Sequence, residues 1–230
     1  MKIVALIPAR KGSKRIKNKN SKKLDGIPLT YYSIRTARES KNIESVYVSS
    51  DSDKIGSIAI ESSVGYVNRP AKYSTDKSTD LDVIKHFIKK IDCDMIVYLR
   101  PTTPFRDAKL VDHVISGFLK LLTCKNKPHS LRSVEEMPES AEKCFTIKAP
   151  AFLQPFWGSM SNTDKPNQQC TKTYNGNGYV DIILPRIVKK TGNLWGTTIV
   201  AYPTDPVIEL DTQEQWKYAE WWIERHGDKI

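Results

Sequence analysis

The first thirty residues of the 230-residue sequence contain no Phe, Tyr or Trp, and no Asp or Glu appears before Asp25. The four cysteines, Cys93, Cys124, Cys144 and Cys170, form no C-x-x-C pair, and the four histidines do not complete a zinc pattern, so reduced thiols are expected. The N-terminal apolar run, Ile3–Pro8, is too short for a signal peptide, and no stretch is long enough to span a bilayer. A cytoplasmic protein without membrane contacts is therefore expected. Internal repeats and low-complexity tracts are absent. Neither G-x-x-x-x-G-K-[ST] nor G-x-G-x-x-G follows the first apolar run, which excludes two common glycine-rich phosphate fingerprints.

What is present is positive charge in one place. Of 36 Lys and Arg, nine lie within residues 1–23, and the other 27 nearly balance 26 Asp and Glu. The formal net charge of +10 is thus a local patch, which suits a small, highly charged ligand better than a nucleic-acid-coated surface. An apolar share of 39% and a mean hydropathy of −0.46 fit a globular protein with one sizeable α/β domain.

Residues 2–7 read as a buried strand ended by Pro8, and Pro28 fits the start of a helix. Ser45–Ser49 is a second strand, and Asp51 or Ser52 can cap the helix that follows. Leu81, Ile84, Phe87, Ile88 and Ile91 keep helical spacing, Met95–Leu99 is a short apolar strand, and residues 110–122 form an amphipathic helix. Strand, loop and helix alternating in this way predict a Rossmann-like, mostly parallel sheet with helices on both faces. Ligands gather at the carboxyl ends of such strands, where loops 8–24, 68–80 and 100–106 would lie. The stretch from about 135 to 180 breaks the rhythm and carries Phe152, Phe156 and Trp157, which suggests a small protruding arm in a single domain. Residues 179–184 and 197–202 return to strand, and Thr212-Gln-Glu-Gln215 is a capping-box start for a last helix.

The basic run A-R-K-G-S-K-R-I-K-N-K-N (residues 9–20) has three readings: a solvated surface loop, a nucleic-acid contact and a polyphosphate cradle. Its position after the first strand and its Gly12-Ser13 turn argue against the first. The missing aromatics argue against the second, because single-strand binders stack bases on them. A cradle of Arg, Lys and backbone N–H groups around several anionic oxygens is favoured.

Residues 7–20 also resemble the nucleotide-binding signature I-P-A-R-x-G-S-K-x-x-x-x-K-N of the CMP-sugar synthetases, most nearly the acylneuraminate cytidylyltransferases. The resemblance continues in family order. V-S-S-D-S (48–52) is similar to the end of the family's second strand, and N-R-P-A-K-Y-S-T-D (68–76) to R-P-x-x-L-A-x-D. L-R-P-T-T-P-F-R-D (99–107) is similar to L-Q-P-T-S-P-L-R, N-G-Y-V-D-I (177–182) to N-G-A-I-Y-I, and E-L-D-T (209–212) to D-I-D-T. The resemblance implies CMP transfer from CTP to the anomeric hydroxyl of an acidic nine-carbon, sialic-acid-like sugar, with release of pyrophosphate and help from Mg²⁺. A Kdo-type nucleotidyltransferase is an alternative, although the loop carries G-S-K and K-N rather than R-L-P-G-K. A non-catalytic anion- or RNA-binding protein is another.

By the same resemblance, Arg10, Lys14 and Lys19 are expected to hold phosphates and stabilise the departing pyrophosphate. Ala9, Gly12, Ser13, Asn20, Arg69, Asp76 and Thr79 are expected around the nucleotide, and Arg100, Thr102, Arg106, Asn177 and Gly178 around the sugar. Lys11, Arg15, Lys17, Lys22 and Lys23 have no place in the pattern and are expected to be solvated. Glu209 and Asp211 alternate, so an extended backbone puts both carboxylates on one face, as Mg²⁺ would use them. Among the departures from the family are Glu209 for Asp, Asp80 where the family has Ser or Thr as part of its base contacts, and Arg100 for Gln. Arg100 offers a bidentate fork to which the sugar's carboxylate is a candidate partner. A homodimer through the arm is implied.

Overall fold

The computed structural model describes residues 1–227. In chain order its first half holds β1 (Ile3–Pro8), β2 (Lys23–Leu24), β3 (Ile27–Pro28), α1 (Leu29–Glu39), β4 (Ser45–Ser50), α2 (Asp53–Glu61), β5 (Gly65–Asn68), α3 (Asp80–Phe87), β6 (Met95–Tyr98) and α4 (Ala108–Leu121). Then come β7 (Ser130–Glu136), β8 (Phe145–Lys148), β9 (Phe152–Pro155), α5 (Met160–Thr163), β10 (Tyr174–Ile183), α6 (Pro185–Thr191), β11 (Ile199–Pro203) and α7 (Gln213–His226).

Seven strands form one sheet in the order β11-β7-β10-β6-β1-β4-β5. All pairings are parallel except those of β10, which runs antiparallel to both β6 and β7. The strand period of two divides β1 between two cores. Ile3, Ala5 and Ile7 pack on one side with residues of α1, α2 and α4, while Val4 and Leu6 pack on the other with Val83, Ile84 and Phe87 of α3. β6 divides in the same way, so helices cover both faces and the expected layering holds.

A third cluster shapes the functional end. Ile16, from the middle of the basic run, is buried with Leu24, Tyr32, Phe105, Leu210 and Trp216. α7 starts on the expected capping box between Thr212 and Gln215 and lays Trp216, Ala219 and Ile223 into this cluster. The loop after β1 is therefore anchored by a side chain in its own centre.

The expected arm is narrower than 135–180. β7 and β10 are both strands of the main sheet, and only the segment between them departs from it. That segment carries the β8–β9 hairpin, on and beside which Ile147, Phe152, Leu153, Phe156 and Trp157 are each more than half exposed. Sequence reasoning missed β7 because its segment S-L-R-S-V-E-E alternates polar and apolar only in part, and the sheet supplies its neighbours on both edges.

Candidate functional site

The three expected loops follow β1, β5 and β6, which run parallel, so they meet at one edge of the sheet. They enclose a cleft of about 280 Å³ whose walls include Arg10, Gly12 and Ser13 from the first loop, Arg69 and Asp76 from the second, and Arg100 from the third. A second hollow of about 400 Å³ adjoins it, shares Arg10, Ser13, Lys19 and Asp76, and adds Lys14, Arg15 and Asp211.

The basic loop is folded rather than solvated. The Ala9 N–H donates to the carbonyl of Ser49 (3.0 Å), continuing the β1–β4 ladder past Pro8. Asn20 Nδ2 donates to the Arg10 carbonyl (2.9 Å), closing the loop on itself, and Thr30 Oγ1 in turn donates to the Asn20 carbonyl (2.7 Å). Asn20 is thereby placed as a brace for the loop backbone as well as a wall of the cleft. The Lys11 N–H donates to Asp51 Oδ1 (2.8 Å). Of the five lysines and arginines outside the pattern, Lys11, Lys17 and Lys23 are exposed, as expected. Two are not merely solvated: Arg15 pairs with Asp211 (3.2 Å), and the Lys22 ammonium lies 4.0 Å from the Trp216 ring centroid.

Arg10, Lys14 and Lys19, the three cations of the motif, each already face a carboxylate. Arg10 donates to Asp76 Oδ1 (3.0 Å) and to the Thr75 carbonyl (3.1 Å), and Lys14 pairs with Asp76 Oδ2 (2.7 Å). The Lys14 hydrogen bond, followed by the Lys14 and Arg10 charges, holds the Asp76 carboxyl below its ordinary value. Lys19 is buried and donates to the Leu210 carbonyl (2.8 Å) and to Asp211. Arg69 is 3% exposed, with Nε on Ser74 Oγ (3.0 Å); burial presses its pKa down. The Thr79 side chain is used by α3: it accepts from the Asp82 N–H (3.2 Å) while the Thr79 backbone N–H donates to the Asp82 carboxylate (2.9 Å), which makes a capping box.

Arg106 does not line the cleft. It is 4% exposed and spends its donors inside the protein: Nε on the Tyr179 carbonyl, Nη1 on Ser33 Oγ (2.9 Å), and Nη2 on the carbonyls of Arg100 (2.6 Å) and Gly178 (3.0 Å). The reason lies in β10, whose register against β7 shifts between Gly176 and Asp181. Such a bulge removes carbonyls from the ladder, and buried carbonyls need donors. Asn177 belongs to the same bulge. Its Nδ2 donates to Thr204 Oγ1 (2.7 Å) and its Oδ1 accepts from the Tyr179 N–H (3.3 Å), and it is not among the residues that line the cleft. Gly178 has φ +64°, and a Cβ there would come within 3.2 Å of Arg100 Cδ; glycine is what both the turn and the arginine require.

Arg100 is not the free fork expected. One terminal nitrogen is paired with Asp181 and the other with Asp80 (2.8 Å), while the guanidinium carbon sits 4.9 Å from the Tyr98 ring centroid. Burial works against the Arg100 cation, but Asp181 and Asp80 outweigh it and hold its pKa above the ordinary value. Tyr98 donates to Asp80 Oδ1 (2.7 Å); burial, then the Asp80 charge, keeps this phenol protonated. Asp80, Tyr98 and Asp181 are functional-end residues that sequence reasoning did not assemble. The signals were the departures at positions 80 and 100, whereas Tyr98 reads only as part of a buried strand.

Asp211 lines the second hollow, and Glu209 stands beside Thr102, which lines the first. Thr102 Oγ1 donates weakly to Glu209 Oε1 (3.4 Å), and the Leu210 N–H donates to the Thr102 carbonyl (2.7 Å), tying this strip to the third loop. Burial, then the Asp211 charge, raises the Glu209 pKa. Two hard oxygen donors that repel one another fit a divalent cation whose other ligands come from a phosphate chain. Among the described residues no group of three or more Asp, Glu, His or Cys is arranged to hold a metal by itself.

A sequence profile described as cytidylyltransferase matches residues 4–177. The chain is 31% identical over 215 residues to an N-acylneuraminate cytidylyltransferase of Escherichia coli O18:K1:H7, covering 93% of this chain and 50% of that protein. It therefore spans half the length of that relative. It is 28% identical to a CMP-N,N'-diacetyllegionaminic acid synthase of Legionella pneumophila, over all of both chains. Among solved structures, a CMP:2-keto-3-deoxy-manno-octonic acid synthetase complexed with CTP superposes with a TM-score of 0.72 at 14% identity, over 98% of this chain and 99% of that one.

Proposed function

The chain belongs to the cytidylyltransferase family, and from that premise we propose that it transfers CMP from CTP to the anomeric hydroxyl of a nonulosonic, sialic-acid-like sugar and releases pyrophosphate. The observation that carries this reading is the folded basic loop, which brings Arg10 and Lys19 into the walls of two adjoining hollows at the carboxyl edge of the sheet and Lys14 into the second. The relatives named as acylneuraminate and legionaminic acid enzymes support the acceptor class.

In this reaction the anomeric hydroxyl oxygen attacks the α-phosphorus, the bond from the α-phosphorus to the oxygen bridging to the β-phosphate breaks, and the hydroxyl proton leaves to solvent or to a carboxylate. The protein forms no covalent intermediate; it positions the two substrates and neutralises charge. Arg10 and Lys14 exchange Asp76 for phosphate oxygens, and Lys19 exchanges Asp211. The turn at Gly12-Ser13 lets backbone N–H groups approach the phosphates. Arg69, Thr79 and the wall near Ser74 bound the nucleoside end.

Mg²⁺ belongs to this proposal, held by Glu209 and Asp211 together with substrate phosphates. When bound it supplies positive charge to the triphosphate. A homodimer formed through the exposed hairpin side chains is also part of it. So is a cytoplasmic setting, with which the free, exposed thiols of Cys124 and Cys144 are compatible. Among the described residues no helix is long and apolar enough to cross a membrane.

The test is pyrophosphate release with CTP and Mg²⁺ against N-acetylneuraminate, N,N'-diacetyllegionaminate and Kdo, with ATP, GTP and UTP as controls. Release that needs CTP and a nine-carbon acid supports the reading. Release with Kdo alone, or with none of the sugars, overturns it.

A further inference from the structure

Six of the seven residues that line the second hollow are charged, and their charges are matched in a regular way. Each of the two carboxylates spans two cations. Asp76 holds Arg10 and Lys14, while Asp211 holds Lys19 through Oδ1 and Arg15 through Oδ2 (3.2 Å). Four cations against two carboxylates leave this wall with positive charge in excess, which suits a polyvalent anion.

Arg15 is the member of the set that has no role so far. Its neighbour Ile16 is buried with Leu24, Tyr32 and Trp216, which holds the backbone at position 15 beside the hollow. The Arg15 side chain is 69% exposed, and an exposed ion pair of this kind holds its partners only weakly. Asp211 is the firmer partner. Its N–H donates to Gln215 Oε1 (2.7 Å) at the start of α7, and its other cation, Lys19, is buried. The guanidinium is therefore the part that can leave. A diphosphate group brings more negative charge and more oxygens than a carboxylate, and it accepts the arginine fork in two places. As the site stands, a divalent cation approaching Asp211 meets the Lys19 ammonium and the Arg15 guanidinium on the same two oxygens.

We propose that Arg15 is a fourth phosphate-binding cation of the loop and, with Lys19, a cover on Asp211: the diphosphate part of the nucleotide draws both cations off the carboxylate, which then becomes available to a divalent cation. Naming the anion as the diphosphate part of CTP rests on the cytidylyltransferase reading. Anion binding and exposure of the metal-ligating carboxylate are thus one exchange of ion pairs.

The experiment compares wild type with R15A, R15K and K17A; Lys17 is an exposed cation of the same loop that lines neither hollow. Calorimetry in the presence of chelator gives affinities for CTP, inorganic diphosphate and CMP, and electron paramagnetic resonance gives the affinity for Mn²⁺ alone. R15A is expected to bind CTP and diphosphate about tenfold more weakly, the scale of one hydrogen bond to a charged group, and CMP within about twofold of wild type. The same variant is expected to bind Mn²⁺ alone at least about threefold more tightly, because Asp211 Oδ2 is uncovered. R15K, which keeps the charge without the fork, is expected to fall between R15A and wild type. K17A is expected to match wild type within about twofold throughout, and R15A to unfold within about 2 °C of it. Unchanged CTP and diphosphate affinity in R15A, an equal loss for CMP, unchanged Mn²⁺ affinity, or the same shifts in K17A would each overturn the proposal. Wild type that binds diphosphate but not CTP would defeat the functional reading instead, and the diphosphate and Mn²⁺ titrations would still decide the role of Arg15.

Discussion

Arg106 stands where the family pattern suggests a substrate contact, and the structure makes it a clamp on a bulged strand. The variant Arg106→Met keeps the aliphatic stem and removes the guanidinium. Four hydrogen bonds disappear, to the carbonyls of Tyr179, Arg100 and Gly178 and to the hydroxyl of Ser33, three of them buried and the one to Arg100 partly so. At about 1 kcal/mol net for each buried hydrogen bond, and more for an acceptor left dry, the loss is about 4 kcal/mol. A chain of this size loses about 2–4 °C of unfolding temperature per kcal/mol, so a drop of about 8–16 °C is expected. Arg106→Lys supplies three donors from one point rather than a planar fork, and should recover roughly half. Thermal unfolding by circular dichroism gives the first number, and steady-state kinetics at low temperature gives the second. In the lysine variant KM for the sugar is expected to stay within about threefold of wild type. An unfolding temperature within about 2 °C of wild type, combined with a sugar KM raised tenfold, would refute the clamp and reinstate the substrate contact.

Three further outcomes are expected. Asp76→Asn frees Arg10 and Lys14 from their carboxylate, so CTP should bind about two- to fivefold more tightly in calorimetry; weaker binding would show that Asp76 positions the cations rather than competing for them. Glu209 has a raised folded-state pKa, so the stability it contributes is present below its ordinary value of 4.5 and is lost as pH rises through the raised value. The unfolding temperature of Glu209→Gln should therefore gain on wild type between pH 4 and pH 7 while magnesium-dependent turnover falls; a pH-independent difference would contradict the assignment. On the hairpin, Phe152→Ser with Trp157→Ser removes two side chains that are 68% and 65% exposed, and should convert a dimer to monomer in analytical ultracentrifugation without lowering the unfolding temperature of the monomer. An unchanged dimer would move the interface elsewhere.

How far the sequence could be read follows from local physics. β1, β4, β6 and α4 are legible because their periodicities are local and their ends carry Pro8, Ser52 and Asp107; the capping box of α7 is legible for the same reason. The meeting of three loops at one edge follows once the strands are parallel. β7 and the first residues of β10 (174–178) were hidden because they sit on either side of the irregular segment and gain their identity by pairing with each other. The pairing of Arg10, Lys14 and Lys19 with carboxylates was hidden too, since Lys19 and Asp211 meet across 192 positions. Arg106 and Asn177 illustrate a different limit. The motif letters were read as ligand contacts, and only the bulge in β10 reveals that unpaired backbone groups claim those side chains first.

The most direct measurement is product analysis of the intact protein incubated with CTP, Mg²⁺ and each nine-carbon acid, by mass spectrometry and phosphorus NMR together. A CMP-sugar and pyrophosphate formed in equal amounts, dependent on both substrates and lost in Arg10→Ala and Lys14→Ala variants that still fold, is the result this account predicts. Hydrolysis of CTP without sugar transfer, or CTP binding with no product from any acceptor, would contradict it.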